Sequence, residues 1–293
     1  RIDYPNMNDV YYIYGAPGAS ANRAGRLVSV DNGTVKEEYS YGRLGETIRI
    51  DRTVVATANT PAATYRSEYE YDNLGRMKRL VFPDKETLVY QYDKGGLLKS
   101  ARGLYAGRAI SYVKDIAYDE FGQRKRVIYG NGTTSTYEYD PAMRRLVNLT
   151  TSGGGRTLQN ISYDYDPSGN ITERTNTDFY TTGEESKSST QTYEYDDLYR
   201  LTGSNGEYEK ESWLPLFDSR QNSYTNSFAY DTIGNITHKG QTNEAVYPDS
   251  PDQVTLPNTT YDYMYEYGGD QPHAVTRAGP KTVTYDHNGN MIT

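Results

Sequence analysis

Eight aspartates, Asp72, Asp93, Asp119, Asp140, Asp166, Asp196, Asp231 and Asp286, each directly follow a tyrosine and open a short polar stretch. Carboxylates in such number have two chemical uses: ligating calcium, or pairing as general acid and base. Calcium loops of the EF-hand type need alternating oxygen ligands around a fixed glycine, and that pattern is absent. A catalytic carboxylate pair has no signature of its own here, because nearly every Asp has a turn role to account for it. The three histidines, His238, His273 and His287, share no metal-ligand spacing and read as packed or solvated structural residues. No nucleophile elbow, phosphate loop or dinucleotide fingerprint occurs. With no cysteine, thiol chemistry, a disulfide framework and a Cys-based zinc site are excluded. Asn-x-Ser/Thr occurs at Asn32, Asn131, Asn148, Asn160, Asn170, Asn235 and Asn258. Asn in turns and Thr at strand starts account for it without glycosylation. The residues therefore call for no catalytic site, metal or cofactor.

The elements that hold these aspartates are a repeat. Tyr-Asp followed by Gly recurs as Tyr71-Asp72 with Gly75, Tyr92-Asp93 with Gly96, and Tyr118-Asp119 with Gly122. It continues as Tyr165-Asp166 with Gly169, Tyr230-Asp231 with Gly234, and Tyr285-Asp286 with Gly289. Tyr139-Asp140 and Tyr195-Asp196 lose the glycine, and Tyr41-Gly42 loses the aspartate. A degenerate tenth unit falls at Tyr267. The spacing between units varies, so a fixed unit is joined by elastic connections.

Each unit has a physical reading. Tyrosines alternate ahead of the turn, as at Tyr69/Tyr71, Tyr137/Tyr139 and Tyr163/Tyr165, which places them on one face of a strand. Asp opens a type I turn, and Gly supplies the left-handed residue that closes it. An apolar residue two positions later starts the next strand: Met77, Leu98, Ile171, Ile236, Met291. A second set of turns lies between: Asp31-Asn32-Gly33, Pro83-Asp84-Lys85, Gly130-Asn131-Gly132 and Ser152-Gly153-Gly154-Gly155. The expected fold is all-β: a long antiparallel meander of hairpins, turning alternately at two edges, in one array over residues 1–293. Residues 202–222, with Trp213, Leu214, Leu216 and Phe217, read as an insertion. Residues 240–260, with Pro248, Pro251 and Pro257, read as a long loop.

Composition bounds the function. Leu, Ile, Val and Phe make up only 48 of 293 residues, a share that on its own would signal disorder. The 32 tyrosines offset this, since Tyr favours strands and brings large buriable area. A net charge of -8 argues against nucleic acid as partner. No apolar run approaches the roughly 20 residues that span a bilayer. The chain opens at Arg1 without a methionine or signal peptide, which reads as a piece of a larger polypeptide.

Tyr-Asp-x-x-Gly-Arg/Asn-apolar, repeated through nearly the whole chain, resembles the YD repeats of Rhs proteins. The same repeats occur in the B and C components of Tc toxins, in bacterial wall-associated contact-dependent toxins and in teneurins. The run from Pro272-His273-Ala274-Val275-Thr276 to Met291 is similar to the segment just ahead of the Rhs repeat-associated core domain. The resemblance implies a β-sheet strip that spirals into a hollow shell around a C-terminal effector, secreted or at the bacterial cell surface. The implied partners are then the rest of the parent polypeptide and its effector cargo. Roughly 18 to 20 strands about 4.8 Å apart give a strip of about 90 Å. Wrapping a compact 100-residue cargo needs about 140 Å, so an open segment of shell is expected. The rival reading is a carbohydrate-binding or adhesive module that stacks glycans on its tyrosines.

Overall fold

A computed structural model describes residues 1–2, 8–56, 60–177, 188–210, 220–247, 250–269, 271–287 and 289–292. The described residues contain no helix; their regular structure is antiparallel strand. The chain divides into two compact units, Arg1–Gly132 and Thr133–Thr293.

The first unit holds β1 (Tyr11–Tyr14), β2 (Leu27–Asp31), β3 (Val35–Tyr41), β4 (Thr47–Val54) and β5 (Ala63–Tyr71). It continues with β6 (Met77–Val81), β7 (Thr87–Tyr92), β8 (Leu98–Tyr105), β9 (Arg108–Tyr118) and β10 (Arg124–Tyr129). Each strand pairs antiparallel with the next in sequence.

The second unit holds β11 (Thr134–Tyr139), β12 (Leu146–Gly153), β13 (Arg156–Tyr165), β14 (Ile171–Asn176), β15 (Ser189–Tyr195) and β16 (Leu201–Lys210). It continues with β17 (Arg220–Tyr230), β18 (Ile236–Tyr247), β19 (Ser250–Thr255), β20 (Tyr261–Glu266), β21 (Arg277–Ala278) and β22 (Lys281–Thr282). The order is again sequential, except that β18 takes both β19 and β20 along one side. Among the described residues no register joins β1 to β10 or β11 to β22. The all-β antiparallel meander expected from the repeat is therefore what the chain forms.

Two expectations are corrected. Residues 202–210 and 220–222 are not an insertion but part of β16 and β17, whose ladder runs from Gly203↔Ser227 to Lys210↔Arg220. Trp213, Leu214, Leu216 and Phe217 lie outside the described residues. Residues 240–260 are not one loop either. β18 runs on to Tyr247 and turns back as β19, with Ala245↔Val254 and Val246↔Gln253 in register. Proline was the misleading signal. Pro251 sits near the start of β19, a strand that pairs only with β18, where a missing N–H is tolerated. Pro257 falls in the turn that follows, and Pro248 lies outside the described residues.

This sheet has almost no core. Among the described residues only Ala101, Val127, Ile161, Ala245 and Val283 are buried apolar side chains. The accessible surface is 19352 Å² for 33.1 kDa. Two separately compact bodies of half that mass would together expose only about 15,000 Å². Within each unit a strand touches only the strands it pairs with, and what shelters a side chain is its neighbour on the same face. In β5, Ser67, Tyr69 and Tyr71 are half-buried while Arg66, Glu68 and Glu70 between them are exposed. Half-buried tyrosines on one face, such as Tyr69 and Tyr71, supply area that Leu and Ile supply in a core.

Candidate functional site: the tyrosine clasp and the aspartate turn

The turn comes first. At Asp72 the backbone N–H donates to the carbonyl of Arg76 (2.9 Å), and Gly75 N–H donates to the carbonyl of Asp72 (3.0 Å). Gly75 has φ +75, and the register slips by one residue between Glu70 and Tyr71. This is a type I turn closed by a left-handed glycine and a bulge. Gly96, Gly122, Gly169, Gly234 and Gly289 stand at the same place with positive φ. Where the glycine is missing, another residue takes the left-handed conformation: Tyr199 (φ 61), and Arg144 (φ 59) in a loop one residue longer.

The carboxylate is fully used inside its own turn. One oxygen of Asp72 accepts the N–H groups of Leu74 (2.9 Å) and Arg76 (3.0 Å). The other accepts Arg76 Nε at 2.7 Å. Asp196 repeats this with Leu198 and Arg200. In Asp166, Asp231 and Asp286 the second oxygen accepts the Nδ2 of Asn170, Asn235 and Asn290 instead. Arg and Asn can replace one another at this position because either presents an N–H to that oxygen. Asp93, Asp119 and Asp140 cap backbone N–H groups in the same way. The Arg76 side chain beside Asp72 holds its carboxyl below the ordinary range, and Asn170 does the same for Asp166. For Asp196 the leading cause is the Arg200 backbone N–H. Each of these carboxylates is therefore a turn cap, with its partners inside its own turn.

Tyr41-Gly42 solves the same problem in reverse. Glu46 stands where Arg76 stands in the turn of Asp72. Its carboxylate reaches back to accept Leu44 N–H at 2.9 Å. A Cβ placed on Gly42 would lie 2.0 Å from Glu46 Oε1. The acid has moved from the first to the fifth position of the turn, and the first position is vacated for it.

The tyrosine connects hairpins. Tyr92, the last residue of β7, donates its hydroxyl to the carbonyl of Met77, the first residue of β6, at 2.7 Å. Tyr41 to Leu27, Tyr118 to Leu98, Tyr165 to Leu146, Tyr195 to Ile171 and Tyr230 to Leu201 are the same bond at 2.7 to 3.0 Å. Tyr267 to Ile236 and Tyr285 to Val275 extend it into the degenerate end. Tyr71 makes no such bond. Each clasp shuts the open end of the hairpin that turns at the opposite edge, so hairpin length is free to vary. That accounts for the uneven spacing of the units. The Arg of the preceding turn lies over the clasp ring: Arg76 is 4.4 Å from the centroid of Tyr92, and Arg200 is 4.6 Å from that of Tyr230. Arg200 also donates to the carbonyl of Asp231, and Arg145 to that of Asp166, binding one turn to the next. Burial pushes the phenols of Tyr118, Tyr165, Tyr195 and Tyr267 upward.

The histidines divide. His273 Nδ1 meets Asn235 Oδ1 at 2.7 Å, and Asn235 Nδ2 donates to the carbonyl of Pro272, so Pro272-His273 docks on the turn of Asp231. His238 Nε2 contacts Asp262 Oδ1 between β18 and β20. The Asp262 side chain is 81% exposed and that of His238 26%. Among the described residues no three His, Cys, Asp or Glu side chains converge to hold a metal. Among the described residues no helix is long and apolar enough to cross a membrane, which says nothing of β-barrels.

A family model described as the teneurin YD-shell matches residues 47–293. The chain belongs to the YD-shell family. Toxin subunit YenC1 of Yersinia entomophaga is 30% identical to it over 212 residues, which cover 66% of this chain and 20% of YenC1. The crystal structure of TcdB2-TccC3-Cdc42 matches 99% of this YD-shell segment and 16% of its own chain, with TM-score 0.74 and 19% identity. The Tc holotoxin pore of Photorhabdus luminescens matches equally, with TM-score 0.74 and 18% identity. At those identities the likeness is one of fold. The YD-shell segment spans a fifth or less of the length of these relatives.

Proposed function

We propose that this chain is a structural wall segment of a YD-repeat shell that encloses a C-terminal effector, within a secreted bacterial toxin. The observation that carries the reading is the clasped sheet. It buries little of its own surface, yet each hairpin is locked to the next, as a wall requires and a compact binding domain does not. Its role is to bound a space, not to catalyse: the repeat carboxylates and phenols are consumed in turns and clasps. The glycan-binding reading is weaker for the same reason, since the clasp hydroxyls are already committed and their rings half-covered.

Limited proteolysis of the natural polypeptide tests the proposal. The region C-terminal to this segment should be cut at least about tenfold more slowly in the intact polypeptide than when expressed alone. Equal rates would remove the enclosing role.

A further inference from the structure

The two edges of the first unit are complementary to each other. At the aspartate-turn edge, the residue just before the left-handed glycine is a large exposed apolar side chain in three turns, while the turn of Asp93 has Gly95 there. Leu44 is 82% exposed, Leu74 77% and Phe121 64%. These three share one turn position, so their exposure belongs to one edge rather than to scattered surface apolar residues. Beside Leu44 stands Arg43, exposed and without a hydrogen bond or ion pair among the described residues.

At the opposite edge, the β6–β7 turn and β5 form a groove of about 460 Å³ lined by Tyr65, Phe82, Pro83, Asp84 and Glu86. Two rings and a proline give it an apolar floor, and two carboxylates give it negative charge. Tyr112 donates to Glu86, and Asp84 caps the Glu86 N–H at 3.0 Å, so the acids are held at the groove by the turn itself.

We propose that this groove receives the Arg43–Leu44 tip of a second copy of the chain. Leu44 packs against Phe82 and Pro83, and the Arg43 guanidinium faces Asp84 and the Tyr65 ring. Tip and groove lie on opposite edges of one molecule, so the contact is head-to-tail and leaves a free tip and a free groove at the ends. It needs only this chain's own edges and stands whether or not an effector is enclosed.

Sedimentation velocity tests it with two variants at exposed positions. The tip variant carries Arg43→Glu and Leu44→Ser. The groove variant carries Tyr65→Lys and Asp84→Asn, the Asn keeping the cap on Glu86. Far-UV circular dichroism should be unchanged in both. The wild-type chain should grow in size continuously over a roughly hundredfold concentration range, and each variant alone should associate at least about tenfold more weakly. An equimolar mixture of the two should stop at a one-to-one complex, because only one tip and one groove remain. A wild-type chain that stays monomeric to about 1 mM overturns the proposal. So does a discrete dimer insensitive to both variants, or a mixture that forms no complex.

Discussion

The hydroxyl of Tyr118 and the carbonyl of Leu98, 2.7 Å apart, join the last residue of one hairpin to its first. Tyr118→Phe removes that bond alone and leaves a half-covered carbonyl with one partner fewer. The loss should be about 0.5–1.5 kcal/mol, read as a lower urea midpoint. Tyr105→Phe, at an exposed position with no clasp, is the control and should not move it. Equal effects from the two would mean that the rings, not the hydroxyls, hold the hairpins.

Glu46 and Gly42 form a turn in which the acid sits at the far end. Glu46→Ala should lower thermal stability. Gly42→Asp should do so too, by setting two carboxylates in one site. The double variant Gly42→Asp with Glu46→Arg rebuilds the arrangement of Asp72 and Arg76 and should recover most of the loss. A double-mutant cycle with coupling below about 0.5 kcal/mol would show the two positions to be independent.

Tyr199 holds a left-handed conformation that side chains resist, at φ 61. Tyr199→Gly should therefore stabilise the chain, or at worst be neutral, by up to about 1 kcal/mol. Gly75→Val has open space around the new side chain but the same backbone strain, and should destabilise by about 1–2 kcal/mol or more. Thermal melts of the two, with opposite signs of shift, check the turn assignment.

Stability should fall at both ends of the pH scale. The turn carboxylates of Asp72, Asp166, Asp196 and Asp231 sit below their ordinary value of 3.8, so the unfolded chain takes up protons first as pH drops. Their contribution is present above about pH 4 and lost below it. The phenols move the other way. Burial, with Glu37 beside it, raises Tyr39 from 10.0 to about 12, and burial raises Tyr118 and Tyr165. Their contribution is whole below pH 10 and lost as pH climbs through the folded values, because the unfolded chain ionises first. Urea midpoints against pH should trace a plateau with two falling limbs, and the alkaline limb should coincide with phenolate absorbance.

Much of this was legible in the residues. Tyr-Asp and Gly at fixed offsets named the turn, the alternation of two turn types gave the meander, and the tyrosine excess replaced the missing aliphatic residues. The clasp was not legible, because its acceptor is a backbone carbonyl and carries no residue type to notice. Arg and Asn after the glycine looked like a tolerance until both were found on the same carboxylate oxygen. Tyr199 and Arg144 looked like lost glycines, yet the turn bends them into the glycine conformation. In residues 240–260 the prolines mislead, because Pro251 falls on β19, whose described pairing is with β18 alone.

Every clasp runs backwards along the chain: Tyr92 to Met77, Tyr118 to Leu98, Tyr165 to Leu146 and Tyr230 to Leu201. The acceptor is always made before the donor. A polypeptide emerging amino-terminus first from a ribosome or an export channel can therefore ratchet itself shut hairpin by hairpin, with no segment waiting on sequence still to come.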